Sequence, residues 1–119
     1  LSNCRRNTRR LKVASLDEFK KIELKVGTIK SAEPHPKADK LLVLKVDLGG
    51  EERQLVAGIK KYYEIDALIG KKIIVVANLE PAMLRGIESQ GMLLAAEDAE
   101  GTVKLLTVDG DISNGATVH

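Results

Sequence analysis

Aromatic side chains are nearly missing: the 119 residues include no Trp, one Phe and two Tyr. Proteins that hold single-stranded nucleic acid stack bases on such rings, gaining about 1–3 kcal/mol per base. Phe19 precedes the main run of strand-like sequence and Tyr62-Tyr63 fall in a connecting segment, so the composition argues against a stacking platform. Cysteine is equally scarce. Cys4 alone cannot close an internal disulfide, which points to a reducing, cytoplasmic setting. The histidines are His35, between two prolines, and His119. No cluster of His, Cys and carboxylates has ligand spacing, so neither a metal nor a cofactor is expected. The longest apolar runs, Leu41–Leu44, Ile73–Ala77 and Met92–Ala96, fall far short of the roughly 20 residues of a membrane span. No apolar stretch follows the basic start, as a secretory leader would require, and no membrane partner is expected.

Catalytic patterns are missing as well. Ser89 lies between Gly86 and Gly91, but a nucleophile elbow needs one residue on each side of the serine. Gly49-Gly50 lacks the lysine and hydroxyl of a phosphate loop. The adjacent carboxylates Glu51-Glu52 read as a solvated turn. The sequence therefore predicts no enzyme.

What is present is one domain's worth of chain with 44% apolar residues and 30% charged ones, a globular rather than a disordered composition. It begins with Leu1, so it is expected to be cut from something longer. The net charge of +2 is unevenly distributed. Residues 1–12 carry Arg5, Arg6, Arg9, Arg10 and Lys12 with no acid, leaving 14 basic against 17 acidic groups in the remainder. Residues 1–14 read as a basic flexible arm or linker, a composition that serves nucleic-acid contact and simple solvation equally.

Residues 15–119 read as the folded domain. Ser15 with Glu18 three residues on is a capping-box signature, predicting a short helix over 16–21. Alternation over 22–29 predicts a strand, with Gly27 marking a bulge or bend. Two prolines in 33–39 predict a loop. Apolar residues 41–48 turn at Gly49-Gly50 into 53–57, a hairpin. A short connecting helix is expected within 58–70, then a β-branched strand over 72–77. Residues 78–90 are expected to be irregular, 91–96 to return to strand, and 103–108 and 117–118 to add two short ones. Five main strands with a helix between the third and fourth predict an all-β protein: an OB-fold, the five-stranded Greek-key barrel, with a C-terminal extension over about 97–119. In that fold the loops between strands 1–2 and 4–5 bind ligands; here they are 33–39 and 78–90.

Cations gather near those loops: Lys30, Lys37, Lys40, Lys45, Lys60, Lys61 and Arg85. Each could equally keep a solvent face soluble. Asn78 and Ser89 offer donors and acceptors, yet both are also turn formers. Met92 is a core filler or a contact. With so few aromatics, any RNA would be a structured one, read through backbone, 2′-hydroxyls and shape.

Several stretches resemble a known family: FKKIELKVGTI from Phe19, HPKADKLLVLKV from His35, Val56-Ala57-Gly58-Ile59 with Tyr62-Tyr63, and ANLEPAMLRGIESQGMLLAA from Ala77. Together they resemble the tRNA-binding domain found at the C-terminus of methionyl-tRNA synthetases, in free-standing tRNA-binding proteins and in multisynthetase-associated cytokine precursors. The resemblance implies an OB-fold that binds tRNA by its shape, as a cis or trans appendix of a methionyl-tRNA synthetase body, and forms a homodimer. It implies tRNA contacts at Lys40, Asn78, Arg85, Ser89 and Met92, and dimer contacts in the extension after Ala96. Lys30, Lys45 and Lys60 join the candidates on charge alone. The chain departs from the pattern at Met83, where many relatives carry lysine, and in its arginine run. The phenylalanyl-tRNA synthetase β chain shares similar signatures within a longer chain. A secretion-related chaperone shares the barrel, and ranks lower because the HPKADKL and IESQGM forms are not expected in it. A protein-interaction or chaperone-like dimeric OB module is therefore the alternative.

Overall fold

Alternating apolar positions become strands wherever a partner covers them. The computed structural model describes residues 13–119; the arginine run and Cys4 lie outside the described residues. A helix α1 (Leu16–Lys20) is followed by strands β1 (Leu24–Pro34), β2 (Leu42–Asp47) and β3 (Glu52–Ala57). Helix α2 (Ile65–Leu68) leads to β4 (Lys72–Val76), and a hairpin β5 (Ala82–Leu84) and β6 (Ile87–Ser89) leads to β7 (Met92–Leu93). A second hairpin, β8 (Ala95–Glu97) and β9 (Val103–Leu105), precedes β10 (Thr117–Val118). All pairings are antiparallel, in the order β3-β2-β1-β4-β7 with β10 added to β1.

The barrel closes between β3 and β7 by bonds that partly replace a ladder. Gln90 N–H donates to the Gln54 carbonyl at 2.7 Å. Gln54 N–H donates to Gln90 Oε1 at 3.0 Å, and Val56 N–H to Ser89 Oγ at 3.0 Å. This is the expected OB-fold, with its short helix between the third and fourth strands. Ile29, Leu42, Leu44, Leu55, Leu68, Ile73 and Val75 are at most 1% exposed and form the interior, so every second residue of β2 and β3 points inward.

Four expectations need correction. The first strand runs on through Glu33-Pro34, pairing Pro34 with Leu42, so the loop is shorter than 33–39. The ladder irregularity falls between Ile29 and Ser31, at Lys30, rather than at Gly27. Gly27 is there because Val46 and Leu48 lie over it; an added Cβ would sit 2.6 and 2.7 Å from their methyls. Residues 78–90 contain the β5–β6 hairpin instead of an irregular loop. Finally, 91–96 breaks into β7 and β8 at Leu94, whose N–H still bonds the Ile74 carbonyl at 3.1 Å.

The C-terminal extension docks on its own barrel. β10 pairs with Leu24 and Lys25, and Thr28 Oγ1 donates to Asn114 Oδ1 at 2.6 Å. Tyr63 Oη accepts from Leu105 N–H at 2.9 Å, pinning β9. Helix α1 has no buried residue. Its capping box is complete: Glu18 N–H donates to Ser15 Oγ at 3.1 Å and Ser15 N–H to Glu18 Oε1 at 3.0 Å. Those bonds, the Ser15 amide first, hold the Glu18 carboxyl below its ordinary value.

Candidate nucleic-acid interface

The β5–β6 hairpin folds against β3. Residues that alternate away from the interior, Val43 and Val56, are nevertheless only 5% and 8% exposed. Gln54 Nε2 donates to the Glu88 carbonyl at 2.7 Å, fixing β6 against β3. The register Leu84↔Ile87 leaves a two-residue turn, Arg85-Gly86, with φ of 53° and 92°. Two consecutive positive φ values are the pattern of the type I′ turn, whose twist matches its strands. Gly adopts this freely; Arg does not, and Arg85 is the one described non-glycine residue there.

The turn meets the β1–β2 loop. Lys37, Ala38, Asp39, Lys40, Leu41 and Arg85 line an open cleft of about 450 Å³. Lys60 N–H bonds the Lys40 carbonyl at 3.4 Å, bringing a further exposed lysine to the same end. Three elements thus converge there with four cations, Asp39 being the acid in the cleft wall. A guanidinium can fork onto a phosphate while ammonium groups act as point charges, so the chemistry suits a polyanion backbone.

The sequence-derived candidates divide accordingly. Lys40, Lys60 and Arg85 come together. Lys45 lies on the outer face of β2 with its Nζ donating to Gln54 Oε1 at 3.0 Å; Lys30 is exposed at the β1 irregularity. Met92 is 49% exposed in a small apolar groove of about 270 Å³ with Val56, Leu79, Ala82 and Leu84. Asn78 sits elsewhere and is engaged: its Oδ1 accepts from Glu23 N–H at 2.8 Å and its Nδ2 donates to the Lys21 carbonyl at 2.6 Å, bracing the path from α1 into β1. Ser89 is 5% exposed. It accepts from Val56 N–H and donates to the Gly91 carbonyl at 2.9 Å, so its hydroxyl is spent on barrel closure.

Two residues that the candidate set omits matter to the site. Lys37 lines the cleft, and its charge was the available signal. Arg53 bonds the carbonyls of Ala77 and Gln90 and pairs with Glu51 at 3.2 Å, tying β3 to the start and end of the 78–90 segment. Nothing local in the sequence marks Arg53, because its partners lie 24 and 37 residues away. Among the described residues no group of three or more His, Cys, Asp or Glu could hold a metal ion, and no helix is long and apolar enough to cross a membrane.

A five-stranded barrel with a cationic cleft between its 1–2 and 4–5 loops defines an oligonucleotide-binding type of domain. Residues 24–117 match the putative tRNA binding domain family, to which this chain belongs. The methionine–tRNA ligase of Pyrococcus furiosus is 52% identical over 115 residues, 97% of this chain and 16% of the ligase. That of Methanocaldococcus jannaschii is 57% identical over 101 residues, 85% of this chain and 16% of the ligase. The chain thus spans about a sixth of the length of these relatives. Among solved structures, a MetRS-related protein from Pyrococcus horikoshii superposes with a TM-score of 0.85 at 44% identity, covering 90% of this chain and 98% of that one. The chaperone CsaA from Bacillus anthracis gives 0.81 at 30% identity, covering 90% and 99%.

Proposed function

We propose that this chain binds tRNA without catalysing a reaction, as a cytoplasmic appendix of a methionyl-tRNA synthetase, joined to it or associating with it. The convergence of Arg85, Lys37, Lys40 and Lys60 at the end of a barrel of this family carries the reading. Contacts run to phosphates and 2′-hydroxyls, with little reading of base edges, because the cleft presents cations rather than rings. Lys45 on β2, Lys30 on β1 and Met92 on β7 extend the footprint beyond the cleft. Asn78 and Ser89 serve it indirectly, by bracing the segment that carries Arg85. Pairing of two chains into a homodimer, through the extension after Ala96, supplies a second cleft and raises apparent affinity through effective concentration.

The test is a mobility shift with unfractionated tRNA over a salt series, on the chain with and without residues 1–12, with the dimer followed by light scattering. Arg85→Ala should weaken binding and reduce the slope of log affinity against log salt by about one phosphate's worth, roughly 0.7–0.9. Lys71→Ala, outside both the cleft and the extension, should change neither. Binding that vanishes with residues 1–12 would move the site to the arginine run. The CsaA likeness and the apolar groove around Met92 favour a second reading, a protein-interaction module. Salt discriminates the two, since an apolar groove does not lose its ligand as salt rises.

A further inference from the structure

His35 is 4% exposed and touches the candidate cleft only through the backbone. Its Nδ1 accepts from the Lys37 N–H at 2.9 Å, so that nitrogen carries no proton. Nε2 lies 2.9 Å from the Leu84 carbonyl oxygen, which can only accept, so Nε2 is the protonated nitrogen. The ring is therefore neutral and in one tautomer, with both nitrogens occupied. Leu84 immediately precedes Arg85, and Lys37 opens the opposite wall of the cleft. Among the described residues the other loop-to-hairpin hydrogen bond is a long one, Arg85 Nη2 to the Lys37 carbonyl at 3.4 Å. β6 is tied to β3, whereas β5 pairs only with β6 and is exposed throughout.

We propose that His35 is a positioning residue: its neutral imidazole latches the β5–β6 hairpin to the β1–β2 loop, holding Arg85 beside Lys37 and Lys40. The Nε2–H bond to Leu84 crosses to the hairpin, while the Lys37 N–H sets the orientation of the ring within the loop. The charged groups on the joined elements are Glu33, Lys37, Asp39 and Lys40 on the loop side and Arg85 and Glu88 on the hairpin. The latch is a property of the free protein; its consequence for RNA rests on the reading proposed above.

The experiment separates the two. His35 and His119 are the only imidazoles, so ring ¹⁵N signals are assigned with a His119→Gln variant. Protonated Nε2 and bare Nδ1 are expected for His35. In His35→Asn the side-chain carbonyl can still accept from Lys37 N–H, as in an Asx turn, but it is too short to reach Leu84. The amide signals of residues 82–89 should therefore shift and exchange faster in it than in wild type. A protonated Nδ1 in wild type, or hairpin amides unmoved in the variant, overturns the latch, and the wild-type ring spectrum decides this even where the variant does not fold.

The second arm measures tRNA affinity of both proteins over a salt series. Wild type should bind about 5-fold tighter than His35→Asn and with the steeper salt slope; equal affinity and slope overturn the positioning role. A hairpin that loosens in His35→Asn while Arg85→Ala leaves tRNA affinity intact places the failure in the tRNA reading instead.

Discussion

Replacing Arg85 by Asn should make the domain more stable and a poorer tRNA binder at once. Arg85 holds φ at 53° in a two-residue turn. A left-handed conformation costs an ordinary L-residue about 1–2 kcal/mol, and Asn recovers part of that because its short amide bonds locally. Asn-Gly is also the preferred pair for this turn. The contact forfeited in the free protein is one exposed, 3.4 Å bond to the Lys37 carbonyl, which offsets little. A net gain of about 0.5–1 kcal/mol follows. For a domain of this size that raises Tm by roughly 2–6 °C. Urea unfolding read at constant m-value gives the stability, and a salt series of mobility shifts gives the affinity and its slope. Loss of stability would refute the strain argument. Unchanged affinity and slope would refute the placing of phosphate at the cleft.

Ser89→Ala strips the acceptor from the buried Val56 N–H, so it should cost about 1–3 kcal/mol, while the affinity of the folded protein stays within about 2-fold. A large affinity loss at unchanged stability would instead make Ser89 a contact. Gly27→Ala pushes a methyl to 2.6 Å from Val46 and should destabilise by about 1–3 kcal/mol in urea unfolding; a neutral result would mean that β2 gives way freely. The lowered Glu18 carboxyl stabilises α1 at pH above its ordinary 4.5, and that contribution fades as pH falls through the depressed value. Amide signals of residues 15–19 should therefore fray in acid before the barrel does, and Glu18→Gln should fray less steeply with pH.

Much of the fold was legible locally. The capping box at Ser15 and Glu18, the alternation of β2 and β3 and the β-branched run of β4 are short-range patterns, and each formed close to its expected place. The errors arose where a distant partner decides. Pro34 continues β1 because Leu42 lies opposite. The 78–90 segment becomes a hairpin because Gln54 and Val56 supply bonds that its own sequence does not advertise. The candidate site shows the same divide. Arg85 and Lys40 were readable as cations in ligand-facing loops, and the family was readable from the HPKADKL and GIESQGM stretches.

Ser89 and Asn78 looked like donors free for a ligand because a polar side chain in a Gly-rich loop has no visible partner until the chain is folded. His35, in the loop, and Arg53, at the start of a strand, showed no partner for the same reason. Residue type and short-range periodicity thus determined the class of fold and the loops in which cations gather, and the motif stretches carried the family. Which polar groups remain available was decided only in three dimensions, because a hydrogen bond is a pairwise matter and these partners stand 24 to 57 residues apart.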